Sequence, residues 1–289
     1  MNKLSPLPGA VLARGTQALH GTSLRIGLSK NAVGLLRTRN WPRRRSEMLI
    51  ERTLDANSQE AIADGLRAAL ADAHCSHMNA TVVLADDLTR LFMVTPPSNA
   101  ERLRDCHAAV AMRFQSLYGE PPHDWKIDAD WDARHPFLAC AVSRALLAAL
   151  QQISADSGLT LIGIVPQFIA AWNRWHRSVA DGAWYGTMHG DTVTLGVIGG
   201  HRLTDIRRMT VPAQAHHDEG WLSDQVTREA LRLALPVPLR ICLAGSAPDR
   251  WFADRGRTPV CARLEANLDV PAFAGESADV ALACTGVRR

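Results

Sequence analysis

Two stretches of the chain share one arrangement of residue types around a polar turn, and any chemistry between the halves of the chain would lie beside them. The first is LRIGLSKNAVGLLR (Leu24 to Arg37), and the second is WYGTMHGDTVTLGVI (Trp184 to Ile198). In each, small and apolar residues alternate up to a tight polar turn and away from it, the pattern of a β-hairpin. Gly27 aligns with Thr187, Ser29 with His189 and Val33 with Val193 at a constant offset of 160. Lys30 stands in the first turn, Gly190-Asp191 in the second. Downstream, ICLAG reads as a buried strand entering a turn at Gly245-Ser246.

Other constellations point to other chemistries. Asp86-Asp87, and Asp124, Asp128, Asp130 and Asp132, are acidic enough for paired-carboxylate work. The alternation in WKIDADWD is more simply a strand with one face in water. His74-Cys75-Ser76-His77 and Cys106-His107 offer metal-ligand types, but no second pair stands at zinc-site spacing, so no metal is expected. His216-His217-Asp218-Glu219 reads as a helix start, its acids favoured near the positive end. Gly-x-Ser-x-Gly does not occur, which leaves a hydrolase nucleophile elbow without support.

The elements that would position these residues alternate between strand and helix. SQEAIADGLRAALADA spaces Ile62, Leu66, Ala69, Leu70 and Ala73 on one face behind a Ser58 or Asn57 cap. TVVLADDLTRLFMVTP reads as strand, Asp-Asp turn and strand. A helix capped by Ser98 or Asn99 follows, with Leu103, Cys106, Val110, Phe114 and Leu117 inward and Gly119 ending it. FLACAV is a buried strand. A helix then runs from Ser143 to Gly158, and LTLIGIVP leads into QFIAAWNRWHRS, with Pro166 at the first turn. HHDEGWLSDQVTREALRLALP places Leu222, Val226, Ala230 and Leu233 inward. This alternation makes the class α/β, and the two like hairpins imply a duplicated fold with a cleft between its halves.

Composition narrows the function classes. The 289 residues can bury a sizeable core, and 47% apolar with 21% charged is ordinary for a globular chain. A net charge of +3 does not suggest nucleic acid. No apolar run reaches the length of a membrane span. Cys75, Cys106, Cys140, Cys242, Cys261 and Cys284 are scattered, and the first residues lack the apolar run of a signal peptide. Free thiols without an export signal predict the cytoplasm. One basic run, RTRNWPRRR, gathers Arg37, Arg39, Arg43, Arg44 and Arg45, either a solvated loop or a contact for acidic side chains or lipid headgroups.

In its order of elements the chain resembles the actin-like (ribonuclease H-like) fold shared by sugar kinases, chaperone ATPase domains and actin. More narrowly it resembles the PilM-type proteins of type IV pilus assembly and the cytoplasmic domain of GspL-type proteins of type II secretion. Three stretches carry the likeness: LRIGLSKNAVGLLR, the block from ACAVSRALL to QFIAAWNRW, and WYGTMHGDTVTLGVIGGHRL with ICLAGSAP downstream. The resemblance implies a lead-in over 1–21 and a first domain over 22–180 with a subdomain inserted at about 86–135. It implies a second domain over 181–264 and a tail over 265–289.

The resemblance also implies where a nucleotide would sit, and there the chain departs from it. Nucleotide-binding relatives carry Asp-x-Gly in each hairpin, holding magnesium and admitting phosphate. Here those places fall on Gly27 and Ser29, and on Thr187 and His189, while the relatives' Gly-Gly becomes Gly245-Ser246. Gly27, Ser29, Lys30, Thr187, His189, Gly245 and Ser246 thus outline a degenerate nucleotide cleft, and no cofactor is expected. The implied partner is the cytoplasmic segment of an inner-membrane pilus or secretion assembly protein, with peripheral association at that membrane. Arg37, Arg39, Arg43, Arg44 and Arg45 are candidate contacts for it. Trp172 and Trp175 either pack in the core or, if exposed, line a partner groove. The alternative is an enzyme that binds ATP and Mg through Asp86, Asp181 or Asp191 around Gly199, Gly200 and Gly245.

Overall fold

The computed structural model describes residues 12–13, 21–39, 45–54, 58–98, 102–180, 182–199, 202–253, 256–264 and 278–285. Strand β1 (Leu12–Ala13) is followed by β2 (Thr22–Leu28), β3 (Ala32–Arg39) and β4 (Arg45–Thr53). Then come α1 (Gln59–Asp72), β5 (Asn79–Leu84), β6 (Arg90–Val94) and α2 (Leu103–Tyr118). The first half closes with β7 (Trp125–Ala129), β8 (Phe137–Ser143), α3 (Arg144–Asp156), β9 (Thr160–Pro166) and α4 (Gln167–Trp175). The second half holds β10 (Ala183–His189), β11 (Thr192–Gly199), β12 (Arg202–Thr210), α5 (Trp221–Arg232), β13 (Arg240–Gly245) and β14 (Val260–Arg263). A last helix, α6, spans Ala278–Cys284.

Two sheets repeat one design. The first runs β1-β9-β5-β2-β3-β4 and the second β12-β11-β10-β13-β14. In both, the central strand has an antiparallel hairpin neighbour on one side and a parallel strand on the other. The register confirms the offset of 160. Gly27 faces Gly34 as Thr187 faces Thr194, and Leu28 faces Val33 as Met188 faces Val193. Strand β10 is buried at all seven positions, as a central strand covered on both faces must be.

Helix ends follow the capping chemistry in most places. The Ser58 hydroxyl accepts from Ala61 N at 3.2 Å, and Ser143 accepts from Leu146 N. Gly119 takes the left-handed conformation at the end of α2, with φ 67°. Helix α2 starts later than Ser98, because Asp105 at the third helical position accepts from Arg102 N at 3.1 Å and closes the end there. Asn57 and Asn99 lie outside the described residues. Leu103 and Leu117 are exposed rather than inward, since the narrow sheet under α2 reaches just Cys106, Val110 and Phe114. His216 and His217 sit in a 3₁₀ turn, and α5 begins at Trp221. Asp218 turns the chain first, accepting from Gly220 N at 2.9 Å.

The insertion is a separate three-stranded sheet, β6-β8-β7, under α2. It continues to Ser143, past the expected boundary near 135, because β8 pairs antiparallel with both β6 and β7. The tail is also more than a tail. Helix α6 packs on β2 and β3 of the first half. Arg25 donates from Nε to Ala283 O at 2.7 Å and from Nη2 to Thr285 O. Helices α4 and α6 both bridge the sheets, and the main core is continuous between the halves.

Trp172 stands in that core, 2% exposed, with its ring 5.1 Å from that of Tyr185. Phe168 packs on the same tyrosine at 4.9 Å, and the Tyr185 hydroxyl donates to Phe168 O at 3.0 Å. The expectation of a partner groove therefore fails at Trp172, because α4 lies between two sheets and its large apolar side chains have nowhere else to go. Trp175 is partly buried against the same core and carries Arg174 over its ring at 4.6 Å.

Candidate functional site at the junction of the hairpins

The site forms where β2, β10 and α4 meet. Strand β5 ends at Leu84, and Ala85 N donates back to Leu28 O at 2.9 Å. The next residue, Asp86, is 4% exposed. Its Oδ1 accepts from Phe168 N in the first turn of α4 at 3.0 Å, and its Oδ2 accepts from the Thr187 hydroxyl at 2.7 Å. The Thr194 hydroxyl is turned to the same carboxyl but falls short of hydrogen-bond geometry. A helix start and a hairpin hydroxyl are donors that would suit an anion. Here one side chain of the protein fills both.

Burial pushes the Asp86 carboxyl above its ordinary range, against the pull of Phe168 N–H and the Thr187 and Thr194 hydroxyls. Asp87 is also raised, first by burial, while Lys30, His189, the Lys30 backbone N–H and Arg208 pull it down. Its Oδ1 is buried without a hydrogen-bond partner among the described residues, as is Oε1 of Gln167. Gln167 Nε2 donates to Met188 O at 3.2 Å.

The remaining cleft residues are placed by the hairpin turns. Gly27 lies inside β2 opposite Gly34. Ser29 is buried and spent on its own turn, accepting from Ala32 N at 3.0 Å and from Asn31 N at 3.3 Å. Lys30 is exposed at the tip. His189 ends β10, 9% exposed. Ser246 N donates to Met188 O at 3.0 Å. Gly245 has φ 96°, and a Cβ there would stand 2.2 Å from Met188 O and 2.9 Å from Gln167 Nε2. Only glycine fits so close an approach. The structure thus gathers Ser29, Lys30, Thr187, His189, Gly245 and Ser246 around Asp86, Asp87 and Gln167.

Other candidates stand elsewhere. Gly199 ends β11 at the far end from His189 and does not reach the cleft. Asp191 is exposed in the second turn, accepting from the Thr192 hydroxyl at 3.2 Å. Asp181 and Gly200 lie outside the described residues. Arg37 pairs across the strands with Glu47 at 2.7 Å, and Arg39 ends β3 opposite Arg45 in β4. The basic run is therefore partly strand, while Arg43 and Arg44 lie outside the described residues. Among the described residues no group of histidine, cysteine and acid side chains is arranged to hold a metal ion.

A magnesium–nucleotide pair fits this donor set poorly. Magnesium needs hard oxygens free to face phosphate, yet Asp86 is turned into two donors, neither hairpin strand offers a carboxylate beside them, and the one unpartnered carboxylate oxygen there, Asp87 Oδ1, is buried. Gln167 is the residue that sequence reading missed, while Asp87 is named there without a place in the cleft. Gln167 follows Pro166 at a helix start, and Asp86-Asp87 directly prolong a buried apolar strand, which is where a signal lay.

No family model matches the sequence, and no curated protein matches it. Solved structures do match in fold. One chain of a PilM–PilN type IV pilus biogenesis complex is similar at a TM-score of 0.58 and 14% identity, over 92% of this chain and 99% of that one. A protein of actin-like ATPase fold from Bacteroides thetaiotaomicron gives a TM-score of 0.56 at 10% identity, over 82% and 88%. The cytoplasmic domain of EpsL, an inner-membrane component of the type II secretion system of Vibrio cholerae, gives 0.51 at 14%, over 77% and 82%. The fold is actin-like, duplicated, with the cleft between its halves. Among the described residues no helix is long and apolar enough to cross a membrane.

Proposed function

We propose that this chain is a non-catalytic, cytoplasmic actin-like scaffold of a type IV pilus or type II secretion assembly system. It binds the cytoplasmic segment of an inner-membrane partner, in peripheral association with that membrane. The observation that carries the non-catalytic part is the Asp86 carboxyl, seated on Phe168 N and the Thr187 hydroxyl at the junction of the hairpins. Support for the system comes from the likeness to the PilM–PilN complex and to the EpsL domain. Exposed Arg39 at the end of β3 remains a candidate contact for acidic side chains of the partner.

A second reading, an ATP-binding protein of the same fold, draws on the buried oxygens of Asp87 and Gln167 that face no donor. Calorimetry separates the two. The scaffold reading expects no magnesium-dependent heat with ATP up to about 1 mM, where binding is worth about 4 kcal/mol. It also expects immobilised peptides from cytoplasmic segments of pilus and secretion membrane proteins to retain the chain in the presence of EDTA. Tight magnesium-dependent ATP binding would establish the second reading instead. Retention of no segment above a scrambled peptide would remove the partner.

A further inference from the structure

A cavity of about 420 Å³ opens between the inserted subdomain and the second half. Its cationic wall comes from three elements: α2 gives Arg113, beside Tyr118, β12 gives Arg207 and Arg208, and the end of α5 gives Arg232. Leu91, Met93, Leu117 and Ile206 add an apolar side. Four guanidinium groups converging on one recess need an account, because like charges repel unless counter-charge is supplied.

Part of that counter-charge is internal. Glu229 takes Arg232 at 2.7 Å and Arg207 at 3.5 Å, and Asp205 lies 3.6 Å from Arg232. Arg113 and Arg208 are different. Arg113 Nε donates to Met93 O at 3.4 Å, and Arg208 Nη1 donates to Asp86 O and Thr89 O, both at 3.0 Å. Among the described residues neither takes part in an ion pair with a carboxylate, although Arg208 pulls on Asp87 from further off. Each fork is held by main-chain carbonyls, with further N–H groups left over. That is the arrangement in which arginine recognises a tetrahedral anion. The Asp86 carboxyl borders the cavity but is engaged with Phe168 N and Thr187. Tyr118 stands among the cations: burial raises its hydroxyl pKa although Arg208, Arg90 and Arg113 all pull it down.

We propose that this cavity is a binding site for a soluble phosphate-bearing small molecule, with Arg113 and Arg208 clamping the phosphate. The volume lies in the range of small-molecule sites and the recess is concave, where a bilayer would need a flat or protruding surface. The apolar side accommodates a small organic body behind the phosphate. This site does not depend on the hairpin cleft or on partner docking. The carbonyl of Asp86, not its carboxyl, ties it to the junction.

Titration of the whole chain with inorganic pyrophosphate, in low salt with EDTA, tests the assignment. Saturable binding is expected that weakens as salt is added, since the contacts are charged and partly exposed. Arg113→Ala should weaken it by roughly tenfold or more, as should Arg208→Ala. Arg67→Ala, on the exposed face of α1 and paired with Asp64, should leave it unchanged. Because Arg208 also holds the Asp86 and Thr89 carbonyls, its removal can unfold the junction; Arg113→Ala, on an exposed helix face, then decides alone. Absence of heat at about 10 mM pyrophosphate overturns the proposal. So does undiminished affinity in Arg113→Ala, including the pattern in which Lys30→Ala abolishes binding and Arg113→Ala does not.

Discussion

The two halves lay down the same five strands, and their chemistry parts where the parallel neighbour of the central strand ends. Leu84 of β5 pairs with Leu28, and Gly245 of β13 pairs with Met188. In each half the next residue returns its N–H to the hairpin strand, Ala85 to Leu28 and Ser246 to Met188. One residue further, the first half presents Asp86 and the second Ala247, both buried. The acid of one half meets the hydroxyls of the other, Thr187 and Thr194. Duplicating a backbone therefore does not duplicate its chemistry. The charge that hairpins supply in the nucleotide-binding resemblance comes here from a strand end, and it is turned inward.

The sharpest way to break this comparison is Thr187→Asp. A second carboxyl would then stand against Asp86, 2.7 Å from the present hydroxyl, in a place closed to water. A cost of about 3–5 kcal/mol is expected from the unpaired buried charge, read as a fall in the urea midpoint. An unchanged midpoint would mean that the junction is wetter and looser than described.

Next in size is Gly245→Ala. The equivalent place in the first half holds Leu84, fully buried, so bulk as such is tolerated there. In the second half the Met188 carbonyl and Gln167 occupy the space. A loss of roughly 1–3 kcal/mol is expected, from backbone strain at positive φ and displaced carbonyl contacts. Equal tolerance of alanine would show that the halves are more alike at this place than their backbones indicate.

The smallest effect is the most diagnostic of the carboxyl itself. The folded pKa of Asp86 lies above its ordinary value of 3.8. As pH rises past that value the unfolded chain releases the proton first, so the folded state binds more protons and stability falls with pH. The fall ends once the folded group has also ionised. Asp87 is raised as well and adds a decline of the same sign. Asp86→Asn keeps an acceptor for Phe168 N and cannot titrate. Its stability profile should be flatter through this window, with a midpoint at neutral pH within about 1 kcal/mol of the parent. A steeper decline in the variant would contradict the assigned direction.

How much of this was legible in the sequence follows from the range of the forces involved. The hairpins, the Ser58 and Ser143 caps, the Gly119 stop and the strand–helix alternation rest on neighbours a few residues away, and they could be read. The offset of 160 was visible because turn residues mark strand ends in both halves. Asp86 could be named as a candidate but not given its role, because its partners lie 82 and 101 residues along the chain. Trp172 and Trp175 share a helix and a spacing, and the local pattern does not say which of them meets the second sheet. The start of α2 is not legible locally, because Ser98 and Asn99 are the better caps by type, while Asp105 makes Arg102 the cap in fact. Helix α6 is short and weakly periodic, and what holds it is the face of β2, far upstream.

That last contact bears on how the chain is made. Arg25 bonds to the carbonyls of Ala283 and Thr285, partners 258 and 260 residues later. A ribosome adding about 5–20 residues per second leaves roughly 10–50 s between the synthesis of Arg25 and that of its partners. Through that interval the β2–β3 face has no α6 to cover it, and the first half waits with an apolar surface open to solvent or to a chaperone. Assembly of this molecule is a closing ring, in which α6 arrives late on the face of strands made long before it.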